Sequence, residues 1–135
     1  MHILVVEDDF ISRRLLCRYL EPFGDCDVAV NGEEAVAAVK ESVDRGEQYD
    51  LICLDIMMPG MDGHETLKMI REYEEENDIV LGQGSKIIMT TSLEDHKSIR
   101  EAFKASADGY VVKPVEKKKF LSTLSEIGVV FPLPL

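Results

Sequence analysis

Five short apolar runs alternate with segments of helical spacing, and that alternation leaves the chain very few folds to choose from. Runs at 2–6 (HILVV), 51–54 (LICL), 86–90 (KIIMT) and 109–112 (GYVV) are rich in β-branched or other apolar residues, with a weaker fifth at 26–30 (CDVAV). Continuous apolar runs of this length suit strands buried on both faces. Between them, apolar residues recur with helical spacing: Ile11, Leu15 and Tyr19; Ala35, Val36, Val39 and Val43; Leu67, Ile70 and Tyr73; Ile99, Ala102 and Phe103; Phe120, Leu121 and Leu124. Each set lays an apolar stripe along one helix face. The punctuation agrees, since Pro22 and Gly24 close the first helix, Asn31 caps the second, and Glu94 or Asp95 opens the fourth. Strands alternating with helices predict an α/β domain, doubly wound as (βα)5, with a five-stranded parallel sheet and right-handed crossovers. In that architecture ligands bind at the carboxyl ends of the strands, where the chain order reverses.

Composition narrows the function classes. A chain of 135 residues is expected to form a single domain over 1–135 and to bury a core without disulfides or a structural metal. No apolar run approaches the roughly 18 residues of a spanning helix, and MHILVVEDD lacks a basic region before its apolar stretch, which argues against a membrane span and a signal peptide. Cys17, Cys26 and Cys53 are odd in number and sit in apolar surroundings, as expected of buried thiols in a reducing cytoplasm. Net charge is −11, and the only basic cluster is Lys117, Lys118 and Lys119. Such a surface repels phosphate backbones, so direct nucleic-acid binding is not expected, and proteins or cations are the expected partners. At 72–84 (EYEEENDIVLGQG) an acidic stretch extends the third helix and adds a loop before the fourth strand. A run of like charge reads as a solvated face.

The residues at the strand ends carry the chemistry: Glu7, Asp8 and Asp9 after the first strand, Asp55 after the third, Thr91 and Ser92 after the fourth, Lys113 and Pro114 after the fifth. The fold brings these to one edge of the sheet. Carboxylates pressed together repel one another, and a hard divalent cation such as Mg2+, which prefers oxygen ligands, relieves that repulsion. Lys113 supplies a compact cation for a carboxylate or a phosphoryl group, and the Thr91 hydroxyl can donate to a phosphoryl oxygen. This set suits phosphoryl transfer with Asp55 as nucleophile and an aspartyl phosphate as product.

The motifs ILVVEDD, DLICLDIMMPGMDG at 50–63, IIMTTS at 87–92 and ADGYVVKP at 107–114 stand in an order and at a spacing that resemble the receiver domains of two-component response regulators, especially the single-domain, chemotaxis-regulator type. The resemblance covers nearly the whole chain and implies a flavodoxin-like receiver fold. It implies a phospho-accepting regulator rather than an enzyme with a separate substrate. Asp55 would take its phosphoryl group from a phosphohistidine of a sensor histidine kinase or histidine phosphotransfer protein, with Mg2+ as the cofactor. Of the three acids after the first strand it selects Glu7 and Asp8, rather than Asp8 and Asp9, with Asp9 at the helix entrance. Asp55 and the backbone carbonyl of Met57 would complete the metal ligands.

The same resemblance makes Thr91 and Tyr110 a switch. A phosphoryl group draws Thr91 toward it and Tyr110 turns into the vacated space, repacking the face made by the fourth helix, fifth strand and fifth helix, where a downstream protein target would bind. Two other readings stay beside this one: a phosphate sink or phosphorelay intermediate, and a receiver cut from a longer protein. A hydrolase of the haloacid-dehalogenase type fits poorly, because it wants an Asp two residues after the nucleophile, where this chain has Met57.

Overall fold

In the computed structural model, which describes residues 1–80, 82–92 and 106–129, the strands are β1 (His2–Val6), β2 (Asp25–Ala29), β3 (Leu51–Asp55), β4 (Lys86–Thr91) and β5 (Gly109–Val112). The described helices are α1 (Phe10–Leu20), α2 (Gly32–Asp44), α3 (Gly63–Glu76) and the carboxyl-terminal α4 (Lys117–Glu126). The helix expected to open at Glu94 or Asp95 lies outside the described residues. All pairings are parallel, in the order β2-β1-β3-β4-β5. The order reverses between β1 and β3, so their carboxyl ends form the crevice in which such sheets bind ligands.

Strand alternation sends the core to both faces. Leu4, Val6, Ile52, Leu54, Ile87 and Met89 meet Ala35 and Val39 of α2 and Leu67 and Ile70 of α3 on one face. On the other, Ile3, Val5, Leu51, Cys53 and Ile88 meet Leu16 and Leu20 of α1 and Phe120 and Leu124 of α4. Asp9, Asn31 and Asp62 cap α1, α2 and α3 through their side-chain oxygens, accepting from the N–H groups of Ser12, Glu34 and Glu65 at 2.9, 2.8 and 3.0 Å. Pro22 sits in a short 3-10 turn (Glu21–Phe23) that ends α1. The Tyr19 hydroxyl donates to the Val115 carbonyl at 3.0 Å, tying α1 to the segment that leads into α4.

Several sequence expectations need correction. Of the stripe Ile11, Leu15 and Tyr19 only Tyr19 packs against the core: Ile11 is 76% exposed and Leu15 37%, while Leu16 and Leu20 are buried. This helix carries apolar residues on two flanks, and the β1–α1 turn, held by the Asp9 cap, decides which one meets the sheet. Strand β2 begins and ends one residue earlier than its apolar run, and as an edge strand it leaves Val28 exposed rather than buried on both faces. Only Cys53 is a buried thiol; Cys17 and Cys26 are half-buried. The acidic extension is not wholly a solvated face, because Glu74 is buried. It pairs with Arg71 at 2.8 Å and accepts from the Ser85 N–H at 2.8 Å. Arg71 also reaches Asp108 at 3.0 Å and the carbonyls of Ser85 and Ser106, stitching α3 to the entrances of β4 and β5.

Candidate functional site

Backbone geometry delivers the acids. The Glu7 N–H donates to the Ala29 carbonyl at 3.0 Å, continuing the β1–β2 ladder one residue past β1 and aiming the buried Glu7 carboxyl over the sheet edge. Asp8 comes next, exposed, and Asp9 turns away to cap α1. Asp55, the last residue of β3, is buried. Carboxylate oxygens of Glu7, Asp8 and Asp55 all lie within 4.8 Å of one another. Gly63 makes this arrangement possible, since a Cβ there would stand 2.7 Å from the Asp55 carbonyl oxygen and 2.7 Å from the Ile56 Cα. Its N–H donates to the Ile56 carbonyl at 2.9 Å, so the start of α3 closes against the end of β3. Only a residue without a side chain permits that approach.

Lys113, after β5, reaches back across β4. Its Nζ donates to Glu7 Oε2 at 3.0 Å and stands 3.1 Å from Asp55 Oδ2. The Lys113 N–H donates to the Thr91 carbonyl at 2.7 Å, which fixes the base of the side chain. The remaining Glu7 oxygen accepts from the Asp9 N–H at 3.2 Å, and Asp55 Oδ1 accepts from the Met57 N–H at 3.3 Å. Arg13 Nη1 donates to the Glu7 carbonyl at 2.9 Å, a brace that no sequence motif announces.

One cation among three carboxylates leaves the pocket short of positive charge. Burial pushes the Glu7 carboxyl up to about 7, with Asp55's charge adding to it and the hydrogen bond from Lys113 opposing it. For Lys113, burial pulls downward, but the bond to Glu7 and the charges of Asp55 and Glu7 outweigh it and raise the group above its ordinary value. Asp9 shifts the other way, held low by the N–H and hydroxyl of Ser12. The frame therefore separates in the structure: Glu7 and Asp8 face the crevice with Asp55, and Asp9 faces a helix terminus.

Thr91 is buried at the end of β4, and its hydroxyl donates to the Ser92 carbonyl at 3.3 Å. Tyr110, in register with Met89, packs half-buried against the core on the α2–α3 side. By strand alternation Thr91 shares that side, whereas Thr90, in register with Asp55, shares the face of the acid pocket. The buried Thr90 Oγ1 has no hydrogen-bond partner among the described residues; a Thr interrupting an apolar run was the sequence signal for it, and the motifs did not single it out. Met57 lies two residues beyond Asp55 and its side chain is 67% exposed beside the pocket. The Lys113–Pro114 peptide is cis.

A family model described as the response regulator receiver domain matches residues 3–125. The chain is 36% identical over 126 residues to the chemotaxis protein CheY of Halobacterium salinarum, covering 93% of this chain and 94% of that protein. It is 40% identical over 118 residues to the transcriptional regulatory protein ResD of Bacillus subtilis, covering 87% of this chain and 43% of ResD. To the osmosensing histidine protein kinase SLN1 of Saccharomyces cerevisiae it is 34% identical over 126 residues, covering 92% of this chain and 10% of that kinase. Among solved structures, the CheX-CheY-BeF3-Mg+2 complex from Borrelia burgdorferi superposes with a TM-score of 0.79 at 26% identity, covering 96% of this chain and 90% of that one. Vibrio cholerae CheY4 gives 0.75 at 26% identity, over 93% and 97%. The flavodoxin-like fold seen here is theirs. Sequence over residues 3–125 and fold over nearly the whole chain lead to the same group, and the chain belongs to the response regulator receiver domain family.

Proposed function

We propose that Asp55 is the phosphoacceptor of a response regulator, taking its phosphoryl group from a phosphohistidine of a sensor histidine kinase or histidine phosphotransfer protein. The observation that carries this is the buried Asp55 carboxylate set among Glu7, Asp8 and Lys113 at the sheet's switch point. A set of hard oxygen donors with too little positive charge, and a Glu7 that burial holds at about 7, suits Mg2+. Glu7, Asp8, Asp55 and the Met57 carbonyl would hold it. When bound, Mg2+ neutralises charge on the phosphoryl oxygens.

The chain's own residues do the rest. An Asp55 Oδ attacks phosphorus, the P–N bond to the donor imidazole breaks, and the electron pair returns to the ring, which takes up a proton. Lys113, already 3.1 Å from Asp55, offers its ammonium to a phosphoryl oxygen as negative charge builds there. Thr91 donates its hydroxyl to another phosphoryl oxygen. Tyr110 then repacks toward the space Thr91 leaves, and the face that includes β5 and Lys117 to Lys119 of α4 changes its affinity for a protein target. The domain acts as a regulator, not as an enzyme on a separate substrate, and a cytoplasmic location belongs to the same proposal. Among the described residues no helix is long and apolar enough to cross a membrane.

Intact mass after incubation with acetyl phosphate and Mg2+ tests the assignment. One added phosphoryl group is expected on the wild type and none on Asp55→Asn or in the presence of a chelator. Equal modification of Asp55→Asn would overturn it. Thr91→Ala is expected to keep acceptance while weakening the response of Tyr110 and α4 amide shifts to beryllofluoride; shifts confined to the pocket in the wild type would leave a phosphate sink or relay as the better account.

A further inference from the structure

Thr90 is a buried polar residue that the phosphoryl chemistry described above leaves unused, and the sheet register sets it beside Asp55. Glu7 follows Val6 and Asp55 follows Leu54, which are partners in the β1–β3 register; Asp55 is partnered with Thr90 across β3–β4, and Thr90 with Val111 across β4–β5. Glu7, Asp55, Thr90 and Val111 therefore form one row across the sheet. Strand alternation puts that row on the face of Cys53, Ile88 and Val111, which α1 and α4 cover. Strands in such a sheet lie about 5 Å apart, so neighbouring side chains of one row can meet. The Ile56 N–H donates to the Thr90 carbonyl at 3.2 Å and ties the two strands together directly after Asp55.

Thr90 is 1% exposed, and its Oγ1 has no hydrogen-bond partner among the described residues. A buried hydroxyl in that condition lowers stability, and valine would fill nearly the same shape without it. Asp55 is held on one side by the Lys113 ammonium, 3.1 Å from Oδ2, and on the other by the Met57 N–H, 3.3 Å from Oδ1. The same ammonium serves Glu7 at 3.0 Å. When Lys113 turns to a phosphoryl oxygen, its hold on Asp55 loosens just as the nucleophile has to stay in line. The Thr90 hydroxyl, next in the row, can take over by a turn about χ1, and with no partner to give up among the described residues that turn breaks no bond.

We propose that Thr90 is a positioning residue for Asp55: its hydroxyl donates to the Asp55 carboxylate as Lys113 turns to the phosphoryl group, and so keeps the nucleophile aimed during transfer. The proposal rests on the reading of Asp55 as the phosphoacceptor. Thr91, one residue further and by alternation on the other face, is left to the phosphoryl oxygen. The stability that Thr90 forfeits in the resting domain is the counterpart of a donor held in reserve.

The test follows the whole chain by intact mass during labelling with acetyl phosphate and Mg2+, comparing wild type, Thr90→Val and Thr90→Ser. Thr90→Val is expected to label about tenfold more slowly, the size of one hydrogen bond lost in the transition state, while its urea midpoint is no lower than that of wild type. Thr90→Ser keeps the hydroxyl and is expected to label close to the wild-type rate. Thr90→Val labelling as fast as wild type, or Thr90→Ser as slow as Thr90→Val, would overturn the proposal; equal label on Asp55→Asn would instead overturn the reading beneath it. A second measurement needs no phosphoryl group. Lys113→Met takes the ammonium away from Asp55, and in a chelator the Thr90 hydroxyl is then expected to turn to the carboxylate, which three-bond couplings to the Thr90 methyl carbon read as a changed χ1 rotamer. A rotamer that stays as in wild type would overturn the proposal whatever the labelling shows.

Discussion

Replacing Glu7 by Gln removes the charge that the pocket tolerates least, and its effect should depend on pH in a defined sense. The Glu7 carboxyl is raised from 4.5 to about 7, first by burial and then by Asp55, against the pull of Lys113. Between those values the folded state holds a proton that the unfolded chain has already lost, so stability falls as pH rises through this window and the loss is complete above pH 7. At about 1.4 kcal/mol per pKa unit, ionising Glu7 in the folded domain costs roughly 2–4 kcal/mol. Glu7→Gln mimics the protonated form and keeps Lys113 paired with Asp55. In a chelator, urea unfolding should therefore find the variant close to wild type at pH 5 and more stable by about 2–4 kcal/mol at pH 8. Lys113, whose group is raised above its ordinary value, contributes fully at both pH values, and the Cys17 contribution that appears above pH 7 is common to both proteins and cancels in the difference. Mg2+ should close most of the gap at pH 8, because a ligand at 100 times its dissociation constant adds about 2.7 kcal/mol to whichever protein binds it. A stability difference that is the same at pH 5 and pH 8 would refute the reasoning, since burial and Asp55 would then not be holding a proton on Glu7.

Four further outcomes can be checked. Asp8→Ala should abolish the Mg2+-dependent rise in melting temperature, whereas Asp9→Ala should keep it while lowering the urea midpoint through loss of the α1 cap. Gly63→Ala, whose methyl would meet the Asp55 carbonyl and the Ile56 Cα, should cost about 1–3 kcal/mol and slow acetyl phosphate labelling of Asp55. Thr90→Val removes a buried hydroxyl that has no partner among the described residues, at nearly constant shape, so it should raise stability by about 1 kcal/mol in the same assay. Arg71→Met should destabilise by about 3–5 kcal/mol by stranding the buried Glu74, and Glu74→Gln in the same background should restore part of that loss.

Much of this protein was legible in its sequence because strands and strand ends are local signals. Apolar runs of strand length, the Asn31 cap and the acids directly after β1 and β3 depend on neighbours in the chain, and they located the sheet, its crevice and the cluster of Glu7, Asp8, Asp55 and Lys113. The resemblance chose Glu7 and Asp8 over Asp9; in the structure Asp9 caps α1, and carboxylate oxygens of Glu7, Asp8 and Asp55 come together. Which flank of α1 is buried was not local: Ile11 and Leu15 satisfy helical spacing as well as Leu16 and Leu20 do, and only the packing of the helix on the sheet separates them. Glu74 read as one more solvated acid, but it is the return of the chain at Gly84 and Ser85 that covers its carboxylate, with Arg71, three residues away on the same helix, as its ion-pair partner. Local spacing determines which elements form; which of their side chains meet is decided by long-range packing, because contact energy depends on neighbours that chain order does not specify.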